Sequence, residues 1–171
     1  MFAQFSGGRR FVINNVIERD YQVQLTDLPQ GTYVKAVRFG SADVLNGSLR
    51  IESRSTDHLE IVLGANGGTL DGAVVDKNRE PVANAPVALV PAAGHRQRAD
   101  LYRSASTGES GSFHLQDIAP GDYLLFAWED IESGLWRDPE FIRRHEASGK
   151  VIHIGEGSRE NIEVTPIPFA F

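Results

Sequence analysis

The side chains in this 171-residue chain from which chemistry could be built are five histidines, two tryptophans, twenty-three Asp and Glu residues, and a scatter of serines. His58, His95, His114, His145 and His153 form no His-x-His or His-Glu-x-x-His pair, so no two imidazoles are preset for one metal ion. The chain has no cysteine, which removes thiolate nucleophiles and thiolate metal sites and leaves the compartment open. Asp76-Lys-Asn-Arg-Glu80 opens like a calcium loop. It lacks the glycine and terminal glutamate at the required spacing, and reads as a polar turn. Ser104, Ser106, Ser110 and Ser112 flank strands and turns without a Gly-x-Ser-x-Gly elbow. Glu129, Asp130, Glu132, Asp138 and Glu140 contain enough carboxylates for a glycosidase pair, but neighbours on a loop set no carboxylate separation. The chain is therefore expected not to be an enzyme, with no cofactor and no metal.

One group has the composition of a binding site: Trp128, Glu129, Asp130, Trp136, Arg137 and Phe141. Flat aromatic faces receive sugar C–H groups and adjacent charges take the hydroxyls, so the ligand expected there is carbohydrate. The competing expectation is that two tryptophans beside a short helix close the end of a β structure. Large aromatics are more often packing than platform.

The elements that must position this group centre on Gly111–Trp128. Phe113, Leu115 and Ile118 mark a short strand, Ala119-Pro-Gly-Asp122 a turn, and Tyr123–Trp128 a strand apolar on both faces. The expectation is a central β-hairpin. Around it, strands are expected at 69–75, 86–90, 101–106, 150–155 and 160–165, making seven after residue 66. Asp138 as N-cap, Pro139 at the first helical position and Gly149 as stop predict a short helix near 138–148. N-terminal strands are expected at 10–14, 20–26, 32–39, 48–52 and 58–63, the second alternating cleanly through Tyr21-Gln-Val-Gln-Leu25.

The chain also repeats itself. Phe11, Ile13, Asn15, Val16 and Asp20-Tyr21 match Phe113, Leu115, Asp117, Ile118 and Asp122-Tyr123 at a constant offset, 113 − 11 = 102. A weaker match sets Leu25–Tyr33 on Leu115–Tyr123, at 115 − 25 = 90. The glycine-rich stretch Leu63-Gly-Ala-Asn-Gly-Gly68 reads as a flexible linker. The expected organisation is thus a partial β-sandwich module over 1–65, lacking its first strands, and a complete one over 66–171. The open edge of the partial module is a self-association surface.

A formal charge of −6 and a pI near 5.3, with no run of Lys or Arg longer than two, exclude nucleic acid as the main partner. No apolar run approaches a membrane helix, and residues 1–10 have no signal-peptide pattern.

Gly-Gly-Thr-Leu-Asp-Gly-Ala-Val-Val-Asp (67–76), Pro81–Val90, Gly-Ser-Phe (111–113) and Pro-Gly-Asp-Tyr (120–123) together resemble the carboxypeptidase regulatory-like family. That family is similar in turn to collagen-adhesin B-type repeats and the starch-binding-like fold. The resemblance implies an all-β, seven-stranded Greek-key, prealbumin-like β-sandwich. It also implies an accessory module of a larger exported bacterial protein, periplasmic, outer-membrane-associated or secreted. Such a module serves as a spacer or interaction unit for its neighbouring domains. Carbohydrate binding is the second expectation, and hydrolysis a third without a motif. The family has no catalytic residue set to carry over.

Overall fold

The computed structural model describes residues 11–25, 27–52 and 55–168. The chain divides into two compact units, Met1–Val23 with Ala36–Glu60, and Gln24–Lys35 with Ile61–Phe171. The N-terminal strands are β1 (Arg19–Tyr21), β2 (Thr32–Phe39), β3 (Ala42–Asp43), β4 (Leu49–Ile51) and β5 (Leu59–Ala65). They are followed by β6 (Gly68–Val74), β7 (Pro86–Pro91), β8 (Arg103–Ser106), β9 (Ser112–Ile118) and β10 (Gly121–Ala127). Helix α1 (Pro139–His145), β11 (Lys150–Ile154) and β12 (Arg159–Val164) complete the chain.

The seven strands β6 to β12 form two sheets, of order β11-β10-β7-β8 and β12-β6-β9, in which only the β12–β6 pair is parallel. Alternation along the strands explains how the sheets meet. Leu70 and Val74 of β6, Phe113 and Leu115 of β9 and Val164 of β12 enter the same core as Val87 and Leu89 of β7, Tyr123 and Leu125 of β10, and Ile152 and Ile154 of β11. This is the expected β-sandwich. The other side of the four-stranded sheet is also buried, because Ala88, Val90, Phe126 and Trp128 meet Ile142 of α1. Hence β10 is apolar on both faces.

The expected hairpin at Gly111–Trp128 is corrected by the pairing. β9 bonds to β6, whereas β10 bonds to β7 and β11, so Ala119-Pro120 carries the chain from one sheet to the facing one. Three local features make the corner. Asp117 takes a left-handed backbone (φ 57), its carboxylate accepts the Gly31 N–H at 2.8 Å, and the Tyr123 hydroxyl donates to the Ala119 carbonyl at 2.8 Å. A buried tyrosine tied back to the chain just upstream is the device by which sandwiches brace such a crossing. Burial pushes the Tyr123 phenol up to about 12, so it remains a donor at any physiological pH.

The same local pattern recurs twice. Asn15 (φ 58) and Asp27 (φ 56) are also left-handed, and each, like Asp117, stands six residues before a tyrosine, since 21 − 15 = 33 − 27 = 123 − 117. The Tyr21 hydroxyl donates to the Ile17 carbonyl at 3.0 Å, at the position equivalent to the Tyr123 bond in the 102-residue offset. Both sequence offsets therefore align a left-handed residue six positions before a tyrosine, and the 102-residue offset also aligns the hydroxyl bonds of Tyr21 and Tyr123.

The N-terminal unit departs from the expected strands. Residues 11–14 form no strand, and Arg10 lies outside the described residues. Tyr21–Leu25 keeps its alternation of half-buried and exposed residues, yet only Arg19–Tyr21 is paired, with Leu49–Ile51. Alternation prepares a strand; a neighbour is needed to make one. β3 pairs with β2 and β4 with β1, so the Asn46-Gly47 stretch joins two strands that do not pair with each other.

The supposed linker is also corrected. β5 runs to Ala65 and β6 starts at Gly68, and Gly64 within β5 and Gly67 between the strands are packed. A Cβ on Gly64 would run into the Tyr33 ring, and one on Gly67 would lie 2.9 Å from the Asp117 backbone. These glycines answer close approach, not flexibility. Gly64→Ala is expected to cost about 1–3 kcal/mol of stability in a urea melt, as overpacking does. A cost near zero would return the segment to the status of a linker.

Candidate functional site

Helix α1 forms where its signals lie. Asp138 accepts the Phe141 N–H at 2.8 Å as the side-chain cap, Pro139 stands in the first turn, and Glu140 complements the dipole. Only Ile142 of the helix is fully buried, and it draws Phe141 and the preceding Leu135–Arg137 turn over the outer face of β7 and β10.

Beneath them Trp128 is 1% exposed. It stacks on Phe126 with centroids 5.3 Å apart and planes at 12°, and meets Phe141 at 5.9 Å and 43°. Phe141 in turn packs on His145 at 4.4 Å, and the His145 ring is hydrogen-bonded to the Phe141 carbonyl at 2.8 Å. The backbone at Trp128 is fixed from two sides, by its N–H to the Pro86 carbonyl at 3.0 Å and by a parallel bridge to Ile167. With both neighbours in place, the Trp128 indole offers no face to solvent. Its Nε1 and the Arg96 Nε are the buried side-chain polar atoms without a hydrogen-bond partner among the described residues.

Of the six residues singled out in the sequence, Trp128, Trp136 and Phe141 are gathered into this cluster. Trp136 and Phe141 are half-buried, whereas Glu129, Asp130 and Arg137 are exposed. Arg137 lies over the Tyr102 ring at 5.4 Å. Tyr102 and Arg96 complete the arrangement from a distant part of the chain. The Tyr102 hydroxyl donates to the Arg96 carbonyl at 3.0 Å, and Arg96 pairs with Glu146 at 2.7 Å. Burial raises the Tyr102 phenol above its ordinary range, partly offset by Arg96 and Arg137.

Two histidines have acquired acidic partners that linear spacing does not show. Asp71 and His114 face each other across β6 and β9 at 2.7 Å, and Asp122 and His153 across β10 and β11 at 2.7 Å. Both pairs lie on exposed outer surfaces. Neither imidazole hydrogen-bonds to a serine or threonine hydroxyl among the described residues. The hydrogen bond that the His114 ring donates to the Asp71 carboxylate raises the His114 pKa above its usual value. A raised folded-state value stabilises the fold below the ordinary histidine pKa, and that increment is lost as pH rises through the folded value. The expected result is an NMR titration of His114 with a midpoint above the ordinary histidine value that falls back in Asp71→Asn. An unshifted midpoint in the unsubstituted chain would contradict the pairing.

A cleft of about 230 Å³ elsewhere on the same unit is lined by Leu25, Asp27, Leu28, Pro29, Thr32, Asp100, Arg103 and Asp117. Its cation is already committed, because Arg103 donates to the carbonyls of Asp100, Tyr102, Gln116 and Asp117. Asp100 is likewise held by Arg98. The polar turn at Asp76 is a closed local loop, whose carboxylate accepts the N–H groups of Asn78 at 2.8 Å and Glu80 at 2.9 Å. Among the described residues, no three His, Asp or Glu side chains converge to hold a metal ion. No helix among them is long and apolar enough to cross a membrane.

No protein-family model matches the chain, and no curated protein does. Solved structures are similar to it at low identity and low TM-score. The major pilin subunit BcpA of Bacillus cereus is 14% identical over 63% of this chain and 31% of that one, with a TM-score of 0.39. The minor pilin GBS52 of Streptococcus agalactiae is 17% identical over 86% of this chain and 65% of that one, at 0.36. A putative carbohydrate-binding protein of Pseudomonas aeruginosa is 17% identical over 58% of this chain and 88% of that one, at 0.36. The chain thus spans about a third of the BcpA length, and likenesses at this level carry no argument about what it does.

Proposed function

We propose that the chain is a non-catalytic β-sandwich module of the carboxypeptidase regulatory-like kind, serving a larger exported bacterial protein as a spacer or interaction unit for neighbouring domains. The observation that supports this reading is the use made of its chemistry-bearing aromatics. Trp128 is spent on closing the outer face of the four-stranded sheet, together with Phe126, Phe141 and Ile142. Such packing yields a stiff, two-sided sheet suited to holding a distance or presenting loops.

A second reading, a carbohydrate-binding module, has one observation in its favour: Trp136 keeps part of its indole at the surface next to the exposed Arg137. Isothermal titration against a panel of neutral and acidic glycans separates the two. The spacer reading expects no heat and no change in melting temperature with any glycan. Heat that disappears in Trp136→Ala would replace it with the second.

A further inference from the structure

Two tyrosines enter the core of the sandwich, and one of them comes from far upstream. Tyr33 is 6% exposed and packs in the same core as Tyr123, although β6 begins only at Gly68. The sequence carries a reason. Leu25, Asp27, Leu28, Gly31 and Tyr33 match Leu115, Asp117, Ile118, Gly121 and Tyr123 at the offset of 90, and Asp27 and Asp117 share the left-handed backbone. The segment around Tyr33 is also held by its backbone. The Gly31 N–H donates to the Asp117 carboxylate at 2.8 Å, and the Gly31 carbonyl accepts the Gly67 N–H at 3.2 Å. The Arg98 guanidinium donates to the Val34 carbonyl at 3.3 Å. The Tyr33 ring fills the space that a Cβ on Gly64 would need.

Each contact asks for a particular residue. Gly31 has φ 78 with open space where a Cβ would stand, so glycine is needed there for the backbone conformation that presents its N–H to Asp117. Two residues on, the tyrosine reaches the core. We infer that Asp117, Gly67, Arg98 and Gly64 form an acceptor surface for an extended glycine-x-tyrosine segment, and that Gly31–Val34 of this same chain is its built-in occupant. The sandwich is then discontinuous in sequence, folding from Gln24–Lys35 together with Ile61–Phe171, the two stretches that make one compact unit. Its boundary falls upstream of Leu25 and not at residue 65. Without the segment, the core loses an aromatic and the Gly67 N–H loses its acceptor.

Urea unfolding of the full chain, followed by tryptophan fluorescence, tests this, because Trp128 and Trp136 both belong to the sandwich unit. Tyr33→Ala is expected to lower the fluorescence midpoint by about 1–2 M. Val37→Ala, at a residue 2% exposed in the other unit, is expected to leave that midpoint in place. Gly64→Ala should lower the midpoint by itself and lower it no further in Tyr33→Ala, where the ring it collides with is gone. An unchanged midpoint in Tyr33→Ala, equal shifts in Tyr33→Ala and Val37→Ala, or simple addition of the Gly64 and Tyr33 effects would overturn the inference. Should the variants not fold, amide exchange of the unsubstituted chain decides. The Gly31 and Gly67 amides must be as strongly protected as those of β10, and weaker protection overturns the inference.

Discussion

Tyr123→Ala is expected to destabilise the sandwich by about 3–5 kcal/mol, the range for removing a buried aromatic from a packed core. The residue is 2% exposed, sits between the two sheets, and its hydroxyl holds the crossing at Ala119. Tyr123→Phe isolates the bond from the packing. It keeps the ring and strands a buried carbonyl, so a loss of about 1–2 kcal/mol is expected. Equilibrium urea unfolding measures both. An alanine loss below about 1 kcal/mol would mean that β10 is not the centre of the sandwich.

Trp128→Ala is expected to cost a similar amount, about 3–5 kcal/mol, because the indole is enclosed by Phe126, Phe141 and Ile142. Trp128→Phe should cost less than about 1.5 kcal/mol. The smaller ring leaves a void, but it also removes an N–H that is buried without a partner, and the two effects oppose each other. This contrast separates a packing residue from a binding one. A binding tryptophan would give small stability changes for both variants and lose its ligand in both.

The strands of the sandwich are legible in the sequence because their signals are local: alternation in β9, a run apolar on both faces in β10, prolines at the ends of β7, and a capped helix start at Asp138. The identity of the sheet partners is not local. Ala119-Pro-Gly-Asp122 has the composition of a hairpin turn, and only the bond between Tyr123 and Ala119 and the left-handed Asp117 distinguish a crossing. The stretch Gly64–Gly68 fails for the opposite reason, since the glycines that suit a flexible linker also suit two segments in near contact. At the N-terminus the periodicity of Tyr21–Leu25 is intact, while among the described residues only Tyr21 of this stretch is paired in a strand. Of the aromatic group, Trp128, Trp136 and Phe141 stand close together in the sequence. Arg96 reaches Tyr102 and Glu146 only through the fold, and no spacing in the sequence points to it.

Acrylamide quenching of Trp128 tests most directly whether the aromatic group is packing. The chain has two tryptophans, so Trp136→Phe leaves Trp128 as the sole indole. Blue-shifted emission, poor quenching and no response to the glycan panel are the expected result for an indole 1% exposed under α1. Red-shifted, readily quenched emission, or a change on adding any glycan, would contradict the account.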